Sequence, residues 1–192
     1  MTGKQLWVLV GGNGAGKTTF YRRFLEGLGM PFINADVLAR ELYPDDTEGH
    51  SYEAARHVDM IREDIIQVGG SFCFETVFSH VSKIDFLARA KALGYEIIMV
   101  LIHVDSVELN RARISQRVEE GGHFVPDDKV ESRIPRTLDN VRKAIPLCDQ
   151  VRIFENSDSQ SPFRPMATVI SGSVSINAEN VPDWLRDLLL KD

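Results

Sequence analysis

The sequence predicts an α/β domain with a mostly parallel sheet and helices on both of its faces. Two runs, Leu6-Trp-Val-Leu-Val10 and Ile97-Ile-Met-Val-Leu-Ile102, are apolar without alternation, as strands buried on both sides require. Strand-like and helix-like segments then alternate along the chain, which implies right-handed crossovers between parallel strands. At 192 residues, with 43% hydrophobic and 26% charged side chains, the chain has the balance of one compact domain. No repeat, linker or low-complexity tract divides it, so 1–192 reads as a single unit.

Residues 4–10 form the first strand, ended by Gly11-Gly12. Residues 17–28 place Phe20, Phe24 and Leu28 at spacing four, the apolar stripe of a helix that Gly29 closes and Pro31 keeps from continuing. Phe32-Ile33-Asn34 is a short second strand; a helix begins at about Asp36 and stops before Pro44, and 51–68 is another. The third strand covers 71–76, with a helix over 82–93 ended by Gly94, and the fourth strand covers 95–104. Asp105 or Ser106 caps the next helix, which carries Arg111, Arg113 and Arg117 before Gly121-Gly122. Pro126-Asp127-Asp128 opens a helix to about Ala144, and 150–154 is a fifth strand. The Pro- and Ser-rich stretch 156–165 reads as loop, and 169–176 around Gly172 as a small hairpin. Pro182 opens a final helix with Trp184, Leu185, Leu188 and Leu189 on its apolar side. The expected architecture is a five-stranded sheet followed by that hairpin and helix.

With 22 basic against 28 acidic residues the formal charge is −6, which argues against bulk attraction to nucleic acid or to an anionic membrane. The apolar runs fall far short of the roughly 20 residues that a membrane-spanning helix needs. The start has no signal-peptide cleavage pattern, so the expected location is cytoplasmic. Cys73 and Cys148 lie in apolar segments and read as buried free thiols.

Between the first strand and its helix stands Gly11-Gly12-Asn13-Gly14-Ala15-Gly16-Lys17-Thr18, followed by Thr19, which fits G-x-x-x-x-G-K-[ST] in the setting that motif needs. Such a loop curls its N–H groups around phosphate oxygens, helped by the positive end of the following helix. Lys17 supplies a cation to the β- and γ-phosphates, and Thr18 a hydroxyl to the Mg2+ that accompanies ATP or GTP. A dinucleotide-binding loop fits less well: counted from Gly12, its third glycine would fall where Lys17 stands. The predicted fold is thus that of P-loop NTPases and kinases.

Phosphoryl transfer needs a positioned acceptor, a base for its proton and positive charge around the moving group. Asp36, just beyond the second strand, suits the base; the competing reading is a helix cap. Glu75 is the one charge within Phe72–Phe78, and a buried carboxylate without a task is costly. With Thr76, it is read as binding the acceptor or completing the magnesium shell, against a plain ion pair. Arg113 with Arg117, and Arg133 with Arg136, share helix faces on either side of a glycine turn, the layout of a hinged lid over about 113–136. Asp105 reads as a cap more than as a magnesium-holding acid. His80 and His123 lie near the presumed cleft as candidates for substrate contact, His80 being grouped with Asp36, Glu75 and Thr76 as substrate-binding; neither has metal-ligand spacing, and no zinc site is supported.

In these elements, namely Gly11–Thr19, Asn34-Ala-Asp36, Ser71–Ser79, Arg117–Pro126, Arg133 with Arg136, and Asn156-Ser157, the sequence resembles the zeta-toxin superfamily of P-loop kinases. The resemblance implies ATP and Mg2+ as cofactors and a UDP-N-acetylglucosamine-type sugar as the leading acceptor, with an antitoxin protein as partner. It also implies Asp36 as catalytic base, Lys17 and Thr18 as ATP and metal ligands, and Glu75-Thr76 with the acceptor. Arg117, Arg133 or Arg136 would be the lid cations, and Asn156 would lie near adenine. Two alternatives stand beside it: a nucleoside, nucleotide or antibiotic kinase, and a non-catalytic ATP-dependent switch.

Overall fold

A computed structural model describes residues 3–47, 49–119 and 126–190. At the middle of its parallel strands is β1 (Gln5–Val10), flanked by β3 (Phe72–Thr76) and β4 (Glu96–His103). β2 (Phe32–Ile33) lies outside β3, and β5 (Gln150–Glu155) outside β4, again parallel. The five parallel strands are those expected from the sequence.

The sheet does not end there. β6 (Arg164–Ile170) and β7 (Ser173–Ile176) continue it antiparallel, giving seven strands in the order β2-β3-β1-β4-β5-β6-β7. The expected separate hairpin and five-stranded sheet are corrected to one mixed sheet. Met166, Ala167 and Val169 explain why: they are buried in the core shared with β1, β3, β4 and β5. The sequence hid the start of β6 because Pro165 looks like loop. Pro165 faces Phe154 on β5, whereas β7 pairs only from Ala167 onward, so the missing N–H falls on a stretch of free edge. Between Ile153–Ala167 and Phe154–Pro165 of the β5–β6 ladder the register slips, leaving Met166 as the extra residue.

Both faces of the sheet are covered. On one, Leu6, Val8, Phe72, Phe74, Met99 and Leu101 pack with side chains of α4 (Ser82–Ala92), α6 (Asp127–Ala144) and α7 (Asp183–Leu190). On the other, Trp7, Leu9, Cys73, Val100 and Ile102 pack with Phe20 and Tyr21 of α1 (Lys17–Phe24) and with Phe163. Each fully buried aliphatic side chain of this kind contributes about 1.5–3 kcal/mol. α1 is shorter than expected: its last turn passes into a 3-10 turn over Glu26–Leu28 before Gly29 at φ 68. α2 (Ala35–Leu42), α3 (Ser51–Val68) and α5 (Val107–Glu119) complete the helices. Among the described residues, no helix is long and apolar enough to cross a membrane.

From β1 the chain runs out to β2, returns to β3 and then crosses β1 to β4, so the strand order reverses at β1. In open α/β sheets, ligands bind beyond the carboxyl ends of the strands at such a point. The residues after β1, β3 and β4 therefore meet at one edge.

Candidate active site

The turn after β1 is shaped by its glycines. Gly14 and Gly16 sit at φ 77 and φ 98, and a Cβ on Gly16 would lie 2.7 Å from Asn156 Nδ2. Gly16 leads directly into α1, so the first amides of that helix face the cradle. Lys17 is 9% exposed, and its Nζ donates to the carbonyls of Gly11 and Gly12, both at 3.0 Å. Thr19 turns outward and is exposed.

Thr18 faces the end of β3. Its hydroxyl donates to Glu75 Oε2 at 2.8 Å, so the motif's metal-ligand hydroxyl and the lone carboxylate of β3 stand side by side. Two hard oxygen donors beside a phosphate cradle fit Mg2+, which takes few protein ligands and completes its shell with phosphate and water. Among the described residues, no group of three or more His, Cys, Asp or Glu side chains forms a separate metal cluster.

Asp36 arrives from the neighbouring strand. β2 pairs Ile33 with Phe74, so the residues that follow, Asn34 to Asp36, emerge at the same edge as Glu75 and Thr76. Asn34, not Asp36, caps α2: its Oδ1 accepts from the amides of Asp36 at 2.7 Å and Val37 at 3.2 Å. The Asp36 side chain is left exposed in the first turn, with no hydrogen bond or ion pair from the described residues. A carboxylate in the first turn also gains from the helix dipole.

The residue after β5 closes under the cradle. Asn156, 7% exposed, donates from Nδ2 to the Ala15 carbonyl at 2.8 Å and accepts at Oδ1 from the Phe163 amide at 3.1 Å. Arg113 Nη1 donates to the Asn156 carbonyl at 2.8 Å. Arg133 Nη1 reaches Asn13 Oδ1 at 3.4 Å. Arg136 is exposed and bends back to the carbonyl and hydroxyl of Ser132 on its own helix. Arg117 lies in α5 with its side chain outside the described part, and His123 and the glycine turn are outside the described residues.

The family model described as AAA domain matches residues 6–142, from β1 through the cradle to most of α6. The chain belongs to the AAA domain family. An uncharacterized protein of Haemophilus influenzae is 31% identical over 140 residues, which is 69% of this AAA domain chain and 99% of that protein. Among solved structures, the AvrRxo1-ORF1:ORF2 complex matches with a TM-score of 0.75 at 18% identity. That match covers 97% of this chain but 64% of the other, so the chain spans less than the whole of that relative; the same complex is also solved with ATP. The PezAT chromosomal toxin-antitoxin system of Streptococcus pneumoniae matches with a TM-score of 0.66 at 20% identity, over 100% of this chain and 80% of that one. At such identities the likeness is one of fold, a P-loop kinase-like α/β fold.

Within this AAA domain, His80 serves locally: Ser82 N–H donates to its Nδ1 at 3.2 Å at the start of α4. Ser106, one of the two caps expected for α5, accepts the Leu109 amide at 3.0 Å, whereas Asp105 stays largely exposed. Sequence reasoning missed Thr137 and Asn140 of α6. Thr137 Oγ1 donates to the Val77 carbonyl at 2.7 Å and Asn140 Nδ2 to the Phe78 carbonyl at 3.0 Å. The available signal was two polar side chains on the buried face of an otherwise amphipathic helix.

Proposed function

We propose that this protein is an ATP-dependent kinase of a small hydroxylated metabolite, with a UDP-N-acetylglucosamine-type nucleotide sugar as the leading acceptor. The observation that carries the reading is the Thr18–Glu75 pair beside the cradle, with the unpartnered Asp36 carboxylate emerging at the same sheet edge. A phosphate loop alone serves many activities; a free carboxylate next to the metal side of that loop suits deprotonation of an alcohol.

In the reaction, the backbone amides of Gly14 to Thr18 hold the phosphates and Lys17 moves from the Gly11 and Gly12 carbonyls to phosphate oxygens. Mg2+, held by Thr18 with Glu75 beside it, would neutralise charge on the β- and γ-phosphates. Asp36 takes the acceptor's hydroxyl proton as the acceptor oxygen bonds to the γ-phosphorus. The bond from that phosphorus to the β,γ-bridging oxygen breaks, and ADP leaves with the electron pair. Arg133, already directed at Asn13, is the best-placed lid cation; Arg113 and Arg117 are the remaining candidates on α5, and Arg136 ranks behind them.

The test is incubation with ATP, Mg2+ and either UDP-N-acetylglucosamine or a metabolite extract, read by mass spectrometry for a gain of one phosphate. Asp36→Asn is expected to bind ATP and form no product. ATP binding with no phosphorylated product from either source, and unaltered behaviour in Asp36→Asn, would instead identify a nucleotide-dependent switch. A nucleoside or antibiotic product would retain the chemistry and change the acceptor. Likeness to a toxin-antitoxin system supports an antitoxin-like protein partner; growth arrest on expression, relieved by Lys17→Ala, is the expected sign.

A further inference from the structure

α6 touches both halves of the site through one face. Arg133, Thr137 and Asn140 follow at spacings of four and three, so all three project from the same side of the helix. Arg133 reaches Asn13 of the cradle, while Thr137 and Asn140 hold the carbonyls of Val77 and Phe78, the two residues that follow β3. Thr137 and Asn140 are 3% and 5% exposed, positions where apolar side chains would pack without a polar cost.

What they hold is a strained turn. Phe78 has φ 63, a left-handed conformation that a bulky L-residue rarely adopts, and its ring is 1% exposed. Its amide donates to Thr76 Oγ1 at 3.0 Å, so the turn is tied back onto the residue after Glu75. On its β2 side the pairing of β3 stops at Phe74, so Glu75 and Thr76 pair as strand residues only with β1. The two bonds from α6 supply the second constraint.

We propose that Thr137 and Asn140 are positioning residues: by clamping the Val77–Phe78 turn they keep the Glu75 carboxylate at Thr18 and so tune the metal side of the nucleotide site. This rests on the reading of Thr18 and Glu75 as that metal side. Both act through the carbonyls of Val77 and Phe78. α6 thereby joins a cation that contacts the phosphate loop to the turn that places the acid beside it.

The experiment measures ATP affinity by calorimetry with excess Mg2+ and with EDTA, in wild type, Glu75→Gln, Thr137→Val, Asn140→Leu and Thr137→Ser. Glu75→Gln is expected to shrink the ratio of the two affinities. Thr137→Val and Asn140→Leu, near-isosteric and lacking the donor, are expected to shrink it by roughly threefold to tenfold, as loss of one hydrogen bond implies, with metal-free affinity within about twofold of wild type. Thr137→Ser, which keeps the hydroxyl, restores the ratio. Asn140→Gln, whose amide is displaced by one methylene, gives a partial loss and carries the test should the isosteric variants fail to fold. A wild-type ratio in folded Thr137→Val and Asn140→Leu, with Glu75→Gln effective, overturns the positioning role alone. A wild-type ratio in Glu75→Gln overturns the underlying metal reading and the proposal with it.

Discussion

Thr18 Oγ1 donates to Glu75 Oε2 at 2.8 Å, joining the phosphate loop to a strand 57 residues away. The pair faces the same loop in which Lys17 bridges the Gly11 and Gly12 carbonyls. Lys17→Met keeps most of the volume and removes the charge. Hydrogen bonds to charged groups contribute about 1.5–3 kcal/mol, so ATP should bind roughly 10- to 100-fold more weakly. Titration calorimetry checks this; affinity within twofold of wild type would show that the lysine does not reach phosphate.

Asn156 joins the cradle to the segment that enters β6, with both ends of its amide used by buried backbone partners. Asn156→Ala removes those bonds and leaves a carbonyl and an amide unpaired in the interior. The cost should be about 2–4 kcal/mol, a fall in Tm of roughly 5–15 °C for a chain of this size. A shift of only a degree or two in thermal unfolding would mean that the two backbone groups find other partners.

His103, at the end of β4, packs tilted against Trp184 of α7 with ring centroids 4.2 Å apart. Burial lowers its pKa from the usual range, a shift that Asp105 and Glu155 oppose without reversing. The folded protein therefore holds this proton less tightly than the unfolded chain does. Stability from this group is complete above about pH 6.5 and is lost as pH falls below it towards the depressed folded value. Between pH 7 and 5, the Tm of wild type should drop more than that of His103→Gln; parallel curves for the two would refute the assignment.

Both thiols are buried, Cys73 in β3 and Cys148 before β5. Burial pushes both pKa values up, that of Cys148 to about 12, with the Asp149 carboxylate adding to the rise. At pH 8 neither thiol ionises appreciably, so an aromatic disulfide reagent should label neither in the native protein and both after unfolding in guanidinium. Rapid native labelling at either position would place that side chain at the surface.

Much of the site was legible because its chemistry is contiguous. Gly11 to Thr18 lie between strand and helix in sequence, and the motif needs no distant residue to be recognised. Glu75 stood out as a charge in an apolar strand, but its partner did not, because nothing near Glu75 in sequence points to Thr18. Arg133 and Arg136 are indistinguishable by pattern, since i and i+3 share a helix face; one reaches across to Asn13 and the other folds back along its own helix to Ser132. Thr137 and Asn140 were passed over since their partners are backbone carbonyls, which carry no sequence signature. The hairpin was recognised and its place was not, because Pro165 weakens the local strand pattern while Met166, Ala167 and Val169 gain only by reaching the common core.

The sequence by itself determined the strand and helix periods, the glycine turn with Lys17 and Thr18, and membership of a parallel α/β class, since each follows from neighbouring residues and local backbone geometry. The tertiary structure alone decided that β1 runs between β3 and β4, that the hairpin extends the sheet to seven strands, and which polar side chains meet at its carboxyl edge. Those outcomes depend on burying apolar faces and satisfying backbone groups between segments tens of residues apart, a balance that local pattern does not contain.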